Sequence, residues 1–328
     1  MEELMRSKLI QLHKDCFHDG SYADYFFMER LEEKYAYVVK VGEEIASACY
    51  ARIFTLKLAG KEVKVPFLTG VATSPMHRYK GYATEVVNKA TSDLEAQGFP
   101  FVILHPFNHE FYRKLGFETI NYVRDLTPSS NPLKGVEFRK MVKEDIPLVS
   151  KLYNELMERE ICYRIRDEKE TEGLIGYSLN NGGLGYLIFE NSVPKGYVWC
   201  EDGACVEALA EREDLFGGLS KLIPYTLPIM GGEREYSMGK PLSLKSLFEC
   251  LPYSKEATGK VNFAYMGKSY CLMVKDGAFL SLTESDEDCP TVEGKTLIQI
   301  SLGQGDKVSF NPFKEVIPNY NLACYEIY

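Results

Sequence analysis

The chain has 328 residues, of which 45% are hydrophobic and 26% are charged, as in globular proteins built around an apolar core. Its formal net charge of −9 argues against a general nucleic-acid binder, because such a protein needs basic surfaces to neutralise phosphates. No apolar run is long enough to span a bilayer, and the first residues lack the unbroken apolar segment of a signal peptide, so we expect a cytoplasmic protein without a membrane partner.

Nine cysteines are scattered along the chain without paired CxxC spacing. Their odd number and scatter predict reduced, buried thiols of a cytoplasmic protein, and no metal site. The chain length predicts two or three domains.

The first part of the chain predicts helices and strands in a recognisable order. Two stretches with helical spacing come first, and three strand-type runs follow, separated by glycine turns. A basic turn then leads into a helix pattern that stops before Gly98, where a C-cap belongs. A short apolar strand, a brief helix that carries Tyr112 behind an Asn108 cap, and one more strand complete this part. The predicted runs are residues 4–18, 22–31, 35–41, 45–58, 63–73, 83–94, 101–104 and 119–126.

The basic turn, Arg78-Tyr79-Lys80-Gly81-Tyr82-Ala83, joins a strand to a helix N-terminus. Free backbone N–H groups and the helix dipole converge at such a point, so it is suited to bind an anion. Gly81 permits close approach of the main chain to a phosphate, and Arg78 and Lys80 add positive charge. The alternative is an ordinary strand-to-helix turn with solvated basic side chains.

The rest of the chain predicts two further parts. After a linker at 127–132, a strand, two helices and three strands repeat the order of the first part without a second basic glycine turn. A third part has a helix capped by Ser243 and strands joined by an Asp276-Gly277 hairpin turn. Residues 296–301 fit a helix or a strand, and the aromatic C-terminus is expected to dock rather than to be solvated. The sequence thus predicts an α+β fold with domains at 1–128, 129–236 and 237–328.

Arg78-x-x-Gly81-x-Ala83 after a strand, with Tyr112-x-x-x-Gly116-Phe117 after the next strand, resembles the acyl-CoA motif of GNAT N-acetyltransferases. The domain order and the aromatic end resemble the Eis (enhanced intracellular survival) family. That resemblance implies tandem GNAT folds, each a mixed central sheet with flanking helices, and then a small α/β sterol-carrier-like domain. The second GNAT fold is expected to lack a cofactor site. The resemblance also implies a homo-oligomer, and strands that diverge beyond Val71 with CoA in the opening.

The resemblance implies an acetyl-CoA-dependent N-acetyltransferase without a metal, which transfers directly to an amine of a small cationic or lysine-like acceptor in a ternary complex. Tyr112 would protonate the leaving thiolate, and the terminal carboxylate of Tyr328 would be the general base. Val71 and Thr73 would offer main-chain groups to the pantetheine arm, and Ala72 between them belongs to the same cofactor-binding set. Arg78 would frame the loop whose backbone N–H groups bind the pyrophosphate, those of Tyr79, Lys80, Gly81, Tyr82, Ala83 and Thr84. Phe107 and Asn108 would contact the cofactor beyond the second strand.

Each residue assignment has an alternative. The alternative to the acid role of Tyr112 is that of a core aromatic residue. The alternative to the base role of the Tyr328 carboxylate is a C-terminus that only packs against the protein. His105 is an alternative base or a structural histidine, and His77 and His109 are expected to be exposed loop residues. Four aromatic residues form either an acceptor pocket or core: Tyr22, Tyr25, Phe26 and Phe27.

Two other functions fit the patterns. One is a lipid- or apolar-ligand-binding module that uses the third domain and keeps a vestigial CoA site. The other is a CoA sensor or assembly protein without turnover.

Overall fold

The computed structural model of the protein describes residues 3–17, 21–58, 60–160, 162–302, 308–318 and 322–323. The helices are α1 (Glu3–Phe17), α2 (Ser21–Tyr25), α3 (Tyr82–Ala96), α4 (His109–Arg113), α5 (Ile146–Met157), α6 (Glu168–Thr171), α7 (Tyr177–Asn180), α8 (Leu244–Cys250) and α9 (Gly294–Ser301). The strands are β1 (Ala36–Val41), β2 (Glu44–Leu58), β3 (Lys61–Thr73), β4 (Phe101–Leu104), β5 (Glu118–Leu126), β6 (Val136–Lys140), β7 (Cys162–Ile165), β8 (Leu184–Glu190), β9 (Val193–Glu201), β10 (Ala204–Ala210), β11 (Leu227–Met230), β12 (Arg234–Pro241), β13 (Gly259–Tyr265), β14 (Lys268–Lys275), β15 (Ala278–Ser285) and β16 (Leu322–Ala323).

A mixed central sheet organises the molecule. Its strands lie in the order β11-β5-β12-β4-β3-β2-β7-β16, and β1 also pairs with β2. The β3–β4 and β16–β7 pairs are parallel, and the other pairs are antiparallel. The predicted fold class, a mixed central sheet with flanking helices, is confirmed.

Helices cover both faces of this sheet because its central strands are apolar on both sides. On one face, α3 buries Val86, Val87, Ala90 and Leu94 against a cluster that includes Leu104. Burial of each Val or Leu side chain contributes roughly 1.5–3 kcal/mol, so this stripe holds α3 to the sheet. On the other face, α8 and α9 share one core cluster with β3 and β4.

Four strands of the central sheet are absent from the sequence prediction: β7, β11, β12 and β16. β11 pairs with β5, and β12 lies between β4 and β5, with Met238 opposite Leu104. The residues of β12 include Gly239, Lys240 and Pro241, which are unfavourable in a strand interior, so its pattern is weak. The central sheet thus takes β7, β11 and β12 from beyond residue 128, while the predicted domain limits stay a prediction.

Two smaller antiparallel sheets complete the fold. One has the order β10-β9-β8-β6 and packs against α5, and the other is β13-β14-β15. The segment at 296–301, open between helix and strand in the sequence, belongs to α9. The predicted helices at 22–31 and 168–179 contain π-helical turns at Phe26–Arg30 and Glu172–Gly176.

A buried ionic cluster joins the second sheet to the central one. Arg166, the residue that follows β7, makes two hydrogen bonds of 2.9 and 2.7 Å to the carboxylate of Glu207 on β10. Tyr197 donates a hydrogen bond to the same carboxylate. Arg164 lies 3.6 Å above the ring of Phe54 in β2. Because a buried charge is stable only with its partners in place, these contacts fix β7 against β2.

Candidate active site

The site begins with a bulge near the end of β3. Ala48 pairs with Ala72 but Tyr50 pairs with Thr69, so β3 has one more residue than β2 over this step. Gly70 adopts a φ of +60°, and a Cβ there would lie 2.7 Å from Cδ2 of buried Tyr50. A bulge adds twist and bends its strand, so β3 turns away from its neighbour at this point.

The central sheet opens between β3 and β4. These two parallel strands pair only at Phe67–Ile103 and Leu68–Leu104. β4 ends at Leu104, whereas β3 continues to Thr73. β4 therefore does not pair with β3 along the residues predicted to bind a pantetheine arm, Val71, Ala72 and Thr73.

The predicted anion-binding turn lies at the end of this opening. After a single 3-10 turn, Tyr79 has a φ of +62° and Gly81 a φ of +87°, and α3 begins at Tyr82. No side chain caps α3, so the first-turn N–H groups of Tyr82, Ala83 and Thr84 have no capping partner. A fifteen-residue helix thus presents its positive end and three amide donors at one spot.

Two cations flank that turn. The Arg78 side chain donates from Nε to the carbonyl of Thr73 at 3.4 Å, which ties the turn to the end of β3. The ammonium group of Lys80 donates to the carbonyl of Met76 at 3.0 Å. Both side chains are exposed and keep further donors for an anion.

Tyr112 lies on the α3 side of the opening. The Asn108 side chain accepts a 3.0 Å hydrogen bond from the Phe111 amide, which fixes the start of α4. The Tyr112 side chain is 3% exposed and packs 5.7 Å from the ring of Phe117. Burial, and then the nearby Cys49 thiol, raise the pKa of Tyr112 well above its usual value. The phenol therefore keeps its proton at neutral pH.

His105 directly follows β4, whose side chains alternate between the α3 face (Leu104) and the α8–α9 face (Ile103). Its ring packs 4.6 Å from that of Tyr236 in β12. Burial lowers the pKa of His105 to about 4, so the imidazole is neutral at physiological pH. Its Nδ1 is buried and has no hydrogen-bond partner among the described residues.

His105 also lines a cavity of about 530 Å³ between the central sheet and the β9–β10 turn. Tyr236, Tyr225 and Cys205 form other parts of its wall. Arg234 and Asp125, which are paired at 2.7 Å, line it as well. A cavity of 300–1,000 Å³ is the size that holds a small ligand.

The structure brings most predicted site residues to one end of the sheet. The residues of the β3 end, the basic turn and the start of α3 are contiguous around the opening, and Tyr112 lies behind it. Phe107 and Asn108 follow the end of β4, and the Phe107 side chain is 84% exposed. Tyr328, the predicted base, lies outside the described residues.

Two features were missing from the sequence prediction, and the expectation that His77 and His109 are exposed loop residues was wrong. His109 is the partly buried first residue of α4. An isolated glycine within an apolar strand run, such as Gly70, is a signal of a bulge. Tyr236 belongs to the unpredicted strand β12. His77 is not an exposed loop residue: it is 9% exposed, and its Nε2 lies 3.1 Å from a carboxylate oxygen of Glu44. Its ring packs on Tyr82, which draws it under the turn.

Among the described residues, no group of three or more His, Cys, Asp and Glu side chains is placed to hold a metal ion. In the same part of the chain, no helix has the length and apolar character needed to cross a bilayer.

Comparisons with known proteins agree with this geometry. Residues 2–120 match the family model of the acetyltransferase (GNAT) domain. No curated protein sequence matches the chain at a significant level.

Several solved structures share the fold over the whole chain. A probable N-acyltransferase of unknown function from Enterococcus faecalis V583 aligns with a TM-score of 0.77 and 14% identity, over 100% of this chain and 98% of that one. A GCN5-related N-acetyltransferase from Anabaena variabilis has a TM-score of 0.75 and 14% identity, with the same coverage. Eis1 from Mycobacterium abscessus has a TM-score of 0.70 and 11% identity, again over 100% and 98%. At these identities the likeness concerns the fold.

The match of residues 2–120 covers the strands, the basic turn and the helix that form the opening. Residues 2–120 therefore form a GNAT acetyltransferase domain, the domain of an acyltransferase.

Proposed function

We propose that the protein transfers an acetyl group from acetyl-CoA to an amine of a small cationic or lysine-like acceptor. The observation that carries the proposal is the opening between β3 and β4. It has the uncapped N-terminus of α3 at one end and the buried phenol of Tyr112 at its wall.

The opening suits a long thioester with a charged end. Amide donors of Tyr82, Ala83 and Thr84 would bind the pyrophosphate, with Arg78 and Lys80 beside it. The part of β3 along which β4 does not pair would hydrogen-bond the amides of the pantetheine arm, in the manner of an added strand. Gly81 has open space beside its Cα, so the main chain is accessible to a phosphate there.

The chemistry requires a neutral amine, a polarised thioester carbonyl and a proton for the departing sulfur. Tyr112 is a permanent donor because its raised pKa keeps the phenol protonated. In this proposal its hydroxyl stabilises the thiolate as the C–S bond breaks and then supplies the proton. The role of the Tyr328 carboxylate as the base that takes the proton from the amine stays a prediction.

The acceptor is expected to bind in the cavity lined by His105 and Tyr236, which begins where β4 ends. An acceptor bound there would reach the thioester from the end of β4. The positioning of both substrates would supply much of the acceleration.

The proposal is tested by release of free thiol from acetyl-CoA with a panel of polyamines, aminoglycosides and lysine derivatives. Tyr112→Phe removes only the donor, and we expect it to lower kcat roughly 100-fold, since a general acid contributes about 10²–10⁴. KM for acetyl-CoA should change little because the ring still packs. Tyr35→Phe is the matched control, because Tyr35 is a buried tyrosine of the same core cluster.

Unchanged kcat in Tyr112→Phe would remove the acid assignment. If acetyl-CoA binds but no amine in the panel is acetylated, the acceptor class is wrong. The sterol-carrier-like assignment of the third part and the homo-oligomer also stay predictions.

A further inference from the structure

Two cysteines face each other across the β9–β10 hairpin. Cys200 of β9 is directly opposite Cys205 of β10. The turn between them consists of Asp202 and Gly203, with φ of +48° and +80°, and it is closed by the Glu201–Ala204 pair. Two positive φ values in a two-residue loop are typical of the tight turn that sets hairpin register, so the two thiols are held opposite one another.

The position in the ladder brings the two side chains close. In a two-residue hairpin the closing pair is the hydrogen-bonded one, so the next pair, Cys200–Cys205, is a non-hydrogen-bonded pair. The Cα atoms of such pairs lie about 4.5 Å apart, which is within the range of about 4.4–6.8 Å that a disulfide spans. A bulge follows between Cys205 and Glu207 and leaves that strand room to adjust.

The two thiols differ in access. Cys200 is 2% exposed, whereas Cys205 is half-buried and lines the cavity that contains His105. In the reduced protein Sγ of Cys205 lies 3.6 Å from the carbonyl of Trp199 and 3.5 Å from that of Glu207. A small oxidant in the cavity can thus meet Cys205 and, behind it, Cys200.

We propose that Cys200 and Cys205 form a reversible disulfide when the protein meets hydrogen peroxide. One sulfur, as the thiolate, attacks a peroxide oxygen, the O–O bond breaks, and a sulfenic acid and hydroxide result. The second sulfur attacks the sulfenic sulfur, the S–O bond breaks, and the hydroxide leaves. With the two thiol protons, two hydroxides become two waters, so two thiols and one peroxide give one disulfide and two waters.

The state of the thiols favours this reaction. A hydrogen bond between them lowers the pKa of Cys200 and raises that of Cys205. The thiolate is therefore favoured at Cys200, and Cys205 beside it keeps its proton. A thiolate with a second thiol beside it is the arrangement of a redox-sensitive site.

Disulfide formation would also change the cavity. It draws Sγ of Cys205 from the cavity wall towards Cys200, and we expect KM of the acceptor to change about tenfold, as for a methylene-sized change in a pocket. This effect rests on the proposed function. Disulfide formation itself does not, because it is measured without turnover.

The test uses the full chain, exposed to hydrogen peroxide, alkylated and digested with trypsin. Both cysteines fall in one expected tryptic peptide, residues 196–212, so a disulfide appears there as the loss of two hydrogen atoms and of both alkylation sites. Dithiothreitol should restore both sites. The single tryptophan, Trp199, precedes Cys200, so its fluorescence should fall on oxidation and recover on reduction.

Two variants sharpen the result. Cys205→Ala should abolish the loss of two hydrogen atoms and the fluorescence change, because Cys200 then has no second thiol with which to form a disulfide. Cys271→Ser should behave as wild type, because Cys271 on β14 faces Asn262 and Thr283 rather than a thiol. The inference is overturned if both thiols of the wild-type peptide stay fully alkylatable, or if peroxide yields only sulfinic or sulfonic acid there.

Discussion

Gly70 and Gly81 provide a matched pair of substitutions that tests how the opening is built. Both residues have positive φ, +60° at Gly70 and +87° at Gly81. They differ in their surroundings. A Cβ at Gly70 would lie 2.7 Å from the ring of Tyr50, which is fully buried, whereas a Cβ at Gly81 would meet no atom within 4 Å.

The cost of each alanine follows from these contacts. Left-handed backbone costs a non-glycine residue about 1–2 kcal/mol, and the loss of unfolded-state freedom returns about 0.4–1 kcal/mol. Gly81→Ala should therefore lower the free energy of unfolding by about 1 kcal/mol. Gly70→Ala carries the same cost and in addition a clash with a ring that cannot move, which is worth about 1–3 kcal/mol. We expect roughly 2–4 kcal/mol in all.

Urea unfolding followed by circular dichroism measures this difference, and titration with acetyl-CoA measures the second consequence. Gly70→Ala should weaken acetyl-CoA binding because relief of the clash moves β3 at the opening. Equal losses of stability in the two variants would refute the bulge argument. So would normal acetyl-CoA affinity in a Gly70→Ala protein that is destabilised as expected.

Two further predictions concern buried charge. Glu207→Gln removes the counter-charge of buried Arg166 and should lower the free energy of unfolding by about 3–5 kcal/mol. Glu211→Gln, at a partly exposed ion pair, should lower it by less than about 1 kcal/mol. Similar urea midpoints for the two variants would contradict this. The pKa of His105 is lowered from 6.5 to about 4 on folding, so the unfolded chain binds its proton first. Stability should fall by up to about 3 kcal/mol as pH drops from 6.5 to about 4, and His105→Asn should flatten that limb of the pH–stability curve. An unchanged slope in the variant would show that another group is responsible.

The turn and the helix after β3 were predictable because their determinants are local. Gly81 adopts a positive φ of +87°, which favours glycine. The apolar positions of α3 repeat at helical spacing within the same short segment. The N-cap role of Asn108 is equally local, and it is confirmed by its hydrogen bond to Phe111. Such features depend on chain geometry over a few residues, which a single sequence contains.

The insertion of β12 was not predictable, because it depends on a pairing between distant residues. Met238 lies opposite Leu104, and its strand contains Gly239 and Pro241, which local propensity assigns to a turn. Tertiary pairing overrides that preference. The cavity beside His105 was hidden for the same reason, since Tyr236 and Cys205 reach it from other parts of the chain.

The position of β12 explains why the opening lies on only one side of β4. β4 is short and buried on both faces, so its backbone groups need a partner on each edge wherever water is excluded. β3 supplies partners only at Phe67 and Leu68 before it bends away, and β12 supplies them on the other edge along the whole strand. Because β12 pairs with β4 from Phe101 to Leu104, β4 is held along its whole length although β3 pairs with it only at Ile103 and Leu104. The acetyltransferase domain thus depends for its cleft on a strand that the chain forms more than a hundred residues later.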